Sequence, residues 1–435
     1  MLDTTKTAVL ILIWPLIQPN IMGFLITKQK REIYETFEKI VSEAAKKGAN
    51  LLLIAGDMFH EQPKIKDLKE VDSVFAGIPK VHVVITAGNH DYIGANSPYR
   101  DYEWSPNVTF LKSDTWESVY FEDINTEVYG FSYHERTVRK DVTLGIRPRD
   151  NSRINILMVH GGSAEDVPFS GESLEHSGFD YVALGHIHKP DILSRKVRYC
   201  GSPEPLDRNE TGEHGYILGE ITGKEKAKNL LTGESGENSG ERGQACAEKN
   251  AKTGEPGIFS AEPGDGMREG ASFMFVAASK RRYFHENVEV NPEMTDFLLR
   301  ERILRIIAEK GRENYYSFEL VGKRDPDITF DTEDMRIGIS SAMSDLRTSV
   351  KADGEVSEKD SEEAAGGSIS VGDIMKITDR TAPNYDFERL QAENSDNVVG
   401  MFIEAVKNSD FSQEVIDKAL AYGMEALQVT SGRRK

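Results

Sequence analysis

Four apolar runs, each closed by a short polar segment rich in glycine, constrain this chain more than any other feature. Residues 51–55 lead into Gly56-Asp57-Met58-Phe59-His60, and residues 81–86 into Gly88-Asn89-His90-Asp91. Residues 154–158 lead into Val159-His160-Gly161-Gly162, and residues 181–184 into Gly185-His186-Ile187-His188. Apolar runs of this length without alternation are how parallel strands read when both faces are covered. The polar residues therefore sit where strands end and loops begin, the edge at which α/β sheets bind ligands. An aspartate, an asparagine and several histidines brought to one edge form a metal-site composition. Hard oxygen with imidazole suits manganese, iron or zinc.

In order and in kind, the four segments resemble motifs two to five of the calcineurin-like metallophosphoesterases. The wider chain is similar to the SbcD-type DNA repair exonucleases, particularly the bacterial YhaO-like branch, strongly over residues 28–222 and more loosely beyond. The resemblance implies an α/β fold: a four-layer α/β/β/α metallophosphoesterase sandwich with a smaller α+β capping domain. It also implies two divalent metal ions, manganese first, a few ångströms apart. Asp57 would bridge them, Asn89, His160 and His186 would complete the second site, and His188 would serve the first. His90 would face the scissile phosphate and Asp91 would orient it. His60 matches a histidine that contacts substrate phosphate in the nuclease branch.

One motif of the pattern is missing. The family carries Asp-x-His at the end of its first strand, yet upstream of Asp57 this chain has no histidine, and its only aspartate is Asp3. After the apolar residues 8–12 the sequence reads Ile13-Trp14-Pro15-Leu16-Ile17-Gln18-Pro19-Asn20, and family-like character resumes at Lys28 with an amphipathic helix. A frame slip or sequence error upstream of about residue 22 accounts for the abrupt change; a degenerate N-terminus is the alternative. The chain as written keeps a full ligand set for one ion and two ligands, Asp57 and His188, for the other.

The 435 residues allow a domain of about 200 residues plus a smaller one. The expected division is a metallophosphoesterase domain over 1–222, a disordered linker over 223–270, and a capping and partner-binding domain over 271–429 with a disordered insertion at 351–367. Both linkers are rich in Gly, Glu and Ser and poor in aromatic residues. In the second domain, strands are expected at 281–290, 315–320 and 374–378. Helices are expected at 292–310, with Leu298, Leu299, Ile303 and Ile306 on one face, and at 386–394, 398–407 and 412–429. The last carries Val415, Ile416, Leu420, Met424 and Leu427 at helical spacing, either to dock on a partner or to pack on its own domain.

Two cysteines, Cys200 and Cys246, are too few for a disulfide framework. The apolar residues 8–17 are too short to span a bilayer. A cytoplasmic enzyme with no membrane contact is therefore expected. A net charge of −19 argues against holding DNA through an overall field. Two local basic clusters, Arg147, Arg149, Arg153 and Arg195, Lys196, Arg198, read as groove residues or as solvated loops. Histidines 82, 134, 176, 214 and 285 carry no ligand spacing and are read as structural. The function expected is metal-dependent phosphodiester hydrolysis, as a DNA exonuclease in repair, beside an SbcC-type SMC-like ATPase; a homodimer is left open. The alternatives are a phosphodiesterase or phosphatase on smaller substrates, or a catalytically impaired scaffold subunit.

Overall fold

Side chains alternate across a strand, so a strand whose neighbours are all apolar must serve two cores at once. Leu51–Ala55 (β2) shows this directly. Leu51, Leu53 and Ala55 join one buried cluster, while Leu52 and Ile54 join another. The computed structural model describes residues 6–12, 23–222, 271–351 and 375–432. The expected site of the first motif (13–22), the first linker (223–270) and residues 352–374 lie outside the described residues.

Two compact units divide at Arg282/Tyr283. The first contains two six-stranded sheets. In one, Lys6–Leu12 (β1), β2, His82–Thr86 (β3) and Val108–Phe110 (β4) run parallel. Gly215–Thr222 (β11) and Ala271–Ala277 (β12) extend it antiparallel beyond β1. The other sheet runs Glu117–Phe121 (β5), Thr126–Gly130 (β6), Ile154–His160 (β7), Tyr181–Gly185 (β8), Val197–Tyr199 (β10) and Asp191–Ile192 (β9), with parallel pairing from β6 through β10. The sheets face each other across a core that includes Leu53, Val84, Ile156, Met158, Tyr181 and Ile217. The helices Gly23–Lys46 (α1) and Ile65–Ala76 (α2) cover the first sheet through Phe37, Ile40, Val71 and Phe75. The outer face of the second sheet lies under the five-residue helix Gly171–Glu175 (α3) and loops carrying Val138, Val142 and Phe169. The architecture is the expected α/β/β/α sandwich, its fourth layer thin.

The boundary expected at residue 222 falls differently. Strand β12 pairs with β11 from Gly215↔Ala277 to Ile221↔Ala271. Its Phe273 stacks on Tyr181 at 4.2 Å within the inter-sheet core. Residues 271–277 are thus bound to the first unit by a full ladder and a buried aromatic, where the sequence had placed them in the second.

The second unit has a parallel sheet of Tyr283–Val290 (β13), Tyr315–Arg324 (β14) and Met375–Asp379 (β15), with Ala382–Pro383 (β16) also paired to β14. Asp296–Lys310 (α4) connects the first two strands and buries Leu299, Ile303 and Ile307. That stripe is turned from the expected face: Leu298 is 49% exposed. A second helix, Thr332–Lys351 (α5), was not expected, although Met335, Ile339 and Met343 follow the same four-residue spacing and are buried with α4. Three further helices, Phe387–Glu393 (α6), Val398–Lys407 (α7) and Gln413–Gly432 (α8), share a small core. Ile416, Leu420 and Met424 of α8 pack into it at 8%, 2% and 3% exposure. The terminal stripe is core, which excludes Leu420 as a docking residue. No helix among the described residues is long and apolar enough to cross a membrane.

Candidate metal centre

Because β2 and β3 are parallel in one sheet and β7 and β8 in the other, the carboxyl ends of all four strands can open on one edge of the sandwich. The register brings Ala55 opposite Thr86 and His160 opposite Gly185. His160 is the last residue of β7 and not a loop residue. Its Nδ1 donates to the Ala55 carbonyl at 2.9 Å, crossing from one sheet to the other. A carbonyl only accepts, so Nδ1 carries the proton and Nε2 is left facing the edge. There Nε2 lies 2.8 Å from Asn89 Oδ1 and 3.2 Å from Asp57 Oδ2. His186 Nδ1 lies 3.3 Å from the same Asn89 oxygen.

Close approach at this edge depends on glycine. A Cβ on Gly88 would collide with Asp57 Oδ1 and come within 2.8 Å of His160 Cε1. A Cβ on Gly185 would strike the Ala55 carbonyl. The backbone is also bent where side chains must be aimed: Asp57 has φ 50° and His186 φ 94°. Conformations of that kind persist where the surrounding structure over-determines them, and they gather at functional sites.

Ligand atoms of Asp57, His160 and His186 all lie within 4.8 Å of one another. With Asn89 they make two oxygens and two imidazole nitrogens converging on one point, which fits a divalent cation of the manganese, iron or zinc class. Burial would raise the Asp57 carboxyl, but the His160 imidazole beside it holds it down to about 2. Burial would lower His160, but the charge and close contact of Asp57, with the Ala55 carbonyl, together raise the ring. Burial and then the His160 charge push His186 down to about 4, leaving it neutral at pH 7.

The other expected residues lie close by. The His60 and His90 rings are 4.5 Å apart, and His90 N donates to Asp57 Oδ1 at 2.9 Å. The expected pairing of Asp91 with His90 is not what holds the His90 ring. His90 Nδ1 meets the His60 carbonyl at 2.8 Å. Asp91 is fully buried and accepts from Gly88 N, Phe59 N and Tyr99 Oη. It ties the loop after β3 to the loop after β2, because its carboxylate saturates main-chain donors that would otherwise be orphaned. Burial, reinforced by the Asp57 charge, lifts its pKa to about 7. His188 turns Nδ1 to Glu210 Oε1 at 2.7 Å; burial would raise the Glu210 carboxyl, but the His188 contact and the Leu206 main-chain donor together hold it below the ordinary carboxylate range.

Sequence reasoning missed Glu210, Asp166 and Tyr133. Asp166 Oδ2 lies 3.8 Å from His186 Nε2, and the Tyr133 hydroxyl donates to the His160 carbonyl at 2.8 Å. No local spacing marks them; only the tertiary fold brings them in. Neither basic cluster is a free patch. Arg198 is 3% exposed, over the Phe273 ring, and Arg153 bonds Glu127 at 2.9 Å above Tyr120. His82 is a strand residue, stacked on Phe121 and bonded to Asp123.

Residues 27–190 match the family model of the calcineurin-like phosphoesterases. Among relatives, the metallophosphoesterase YhaO of Bacillus subtilis is 29% identical over 213 residues, 46% of this chain and 52% of that one. The DNA double-strand break repair protein Mre11 of Methanocaldococcus jannaschii is 29% identical over 222 residues, 45% of this chain and 58% of that one. The SbcD component of the nuclease SbcCD of Escherichia coli is 52% identical over 40 residues, 9% of this chain and 10% of that one. The long matches thus span little more than half of those relatives. Residues 27–190 thus form a domain of the calcineurin-like phosphoesterase type, similar to parts of YhaO, Mre11 and SbcD.

Proposed function

We propose that this chain is a metal-dependent phosphodiester hydrolase, a DNA exonuclease of repair that uses manganese and works beside an SbcC-type ATPase in the cytoplasm. The observation that carries the reading is the cluster of Asp57, Asn89, His160 and His186 with the His60–His90 ring pair at the same edge. When bound there, divalent ions supply Lewis acidity toward phosphate oxygens and lower the pKa of water.

The chain's own groups supply the rest. The His60 carbonyl fixes the proton of His90 on Nδ1, which turns Nε2 outward, where a phosphodiester oxygen can be met. A protonated His90 Nε2 would donate to the leaving oxygen, and the Asp57–His90 main-chain contact holds the ring against drift. His60 Nδ1 is buried without a hydrogen-bond partner. An orphaned buried nitrogen costs about 1–3 kcal/mol, and a phosphate oxygen would satisfy it. The similarity to Mre11 and SbcD supports DNA as substrate and an ATPase as partner. The net charge of −19 supports a separate DNA-gripping subunit, because duplex binding rests on phosphate neutralisation. The second unit is proposed as the capping domain.

The test is digestion of end-labelled linear duplex in Mn2+, run beside bis-p-nitrophenyl phosphate, with wild type and His90→Ala. Shortening of DNA from an end, lost in His90→Ala, is expected. Turnover of the small ester with intact DNA would replace the nuclease reading with a phosphodiesterase. A second reading, a scaffold subunit, is favoured by the presence of only Asp57 and His188 of the first ion's expected ligands. Calorimetric Mn2+ titration separates the two: one tight and one weak ion are expected of the chain as written. Two tight ions with full turnover would mean that another residue replaces the missing pair.

A further inference from the structure

His188 and Glu210 form a braced pair. Their side chains are 23% and 17% exposed, and Nδ1 meets Oε1 at 2.7 Å. Each partner is fixed from behind. The second Glu210 oxygen accepts from Leu206 N at 2.8 Å, and the Glu210 main-chain carbonyl accepts from Nε2 of the fully buried His214 at 3.2 Å. On the other side, the His188 main-chain carbonyl accepts from Ser202 N at 2.8 Å. A carboxylate only accepts, so in the neutral ring Nδ1 holds the proton and Nε2 the lone pair. His186, two residues away, lacks such a brace, because Asp166 stands 3.8 Å from its Nε2.

We propose that Glu210 is a positioning residue of this site, holding His188 as the Nδ1–H tautomer with Nε2 presented to a divalent cation. The inference rests on the metal-centre reading above. It gives Glu210 a particular weight: where only Asp57 and His188 remain of that ion's expected ligands, the orientation of His188 bears directly on how well the ion is held. A partner of this kind fixes ring orientation and raises ligand basicity, and its loss typically weakens metal binding about 10–100-fold.

The experiment uses the full metal-free chain. Long-range 15N–1H correlation spectra assign the His188 tautomer, and calorimetry follows Mn2+ in wild type, Glu210→Gln, Glu210→Ala, His188→Ala and the His188→Ala/Glu210→Ala double variant. Wild type should show the Nδ1–H form, and Glu210→Ala should lose it and bind the weaker ion about 10–100-fold less tightly. Glu210→Gln keeps an acceptor oxygen and should lose less. In the His188→Ala background Glu210→Ala should add nothing. An unchanged tautomer and affinity in Glu210→Ala, or an equal loss without His188, overturns the proposal. Wild type that binds no Mn2+ overturns the metal reading itself; wild type that binds it indifferently to Glu210 overturns only this inference.

Discussion

In the first unit Asp57, Asp91, His160, Asp166, Glu204 and His214 are buried, and Asp57 and His186 sit at positive φ. In the second unit the buried polar residue among those described is Asn314, and no described residue other than glycine has positive φ. Both units bury apolar strands under helices, so the contrast is not one of architecture. It lies in where polar groups and strain are tolerated. Burying a polar group is costly unless it is paired, and the first unit carries many such groups, Asp57, Asp91 and His160 among them at one sandwich edge. The second is packed as an ordinary core. Substitutions at the edge should therefore remove chemistry and leave the fold, and substitutions in the second unit should do the reverse.

The sharpest way to break that contrast is Asp57→Asn. It removes the charge shared by the cluster and should weaken Mn2+ binding at least about 100-fold by calorimetry, beyond what loss of an outer partner does. The metal-free protein should melt near the wild-type temperature, because the amide keeps the side chain's shape and an oxygen that still accepts from His90 N. A collapse in melting temperature would mean that the edge is structural. His90→Ala comes next. Metal content by elemental analysis should stay at the wild-type level while hydrolysis falls about 10²–10⁴-fold, the range for a positioned acid. Equal metal loss in both variants would end this division of labour.

In the second unit the expectation reverses. Leu420→Ala should cost about 2–5 kcal/mol in a denaturant titration, as large-to-small changes in a core do, with Mn2+ affinity untouched. Glu204 extends the comparison to a buried acid of the first unit away from the edge. Its carboxyl accepts from Lys280 N at 2.8 Å, and burial pushes it from its ordinary 4.5 up to about 7. The folded state thus holds a proton that the unfolded chain releases. The stability this gives is full below about pH 4.5 and is lost as pH rises through about 7, on the order of 3 kcal/mol. Glu204→Gln should match wild type at pH 4 and exceed it at pH 8; a parallel pH profile would show that the carboxyl is already ionised. The smallest effect belongs to Tyr422→Ala on α8. At 71% exposure it should change stability by less than about 0.5 kcal/mol.

What the chain declared by itself was local. The strands ahead of all four motifs lie within a residue or two of where apolar runs and closing glycines put them, because a strand covered on both faces has a sequence signature. The helices at 386–394 and 398–407 were equally plain from their spacing. Other elements escaped. The helix over Thr332–Lys351 carries its stripe on methionines, and 48 residues separate β12 from β11, so their pairing left no local trace.

Tertiary structure decided the rest, because the site is assembled from segments far apart in the chain. His160 meets Ala55 across 105 residues and Asn89 across 71, contacts that no periodicity encodes. Asp91 was expected to serve the neighbouring His90 and instead joins two loops, since burial leaves it the orphaned main-chain donors of Phe59 and Gly88 to satisfy. Glu210 reached His188 from 22 residues away, across β9, β10 and the loop that follows them. Residue type and strand-end position named the groups that carry the chemistry; which nitrogen His160 turns to the site was fixed only when the two sheets closed on each other and its buried ring had to find an acceptor in the Ala55 carbonyl.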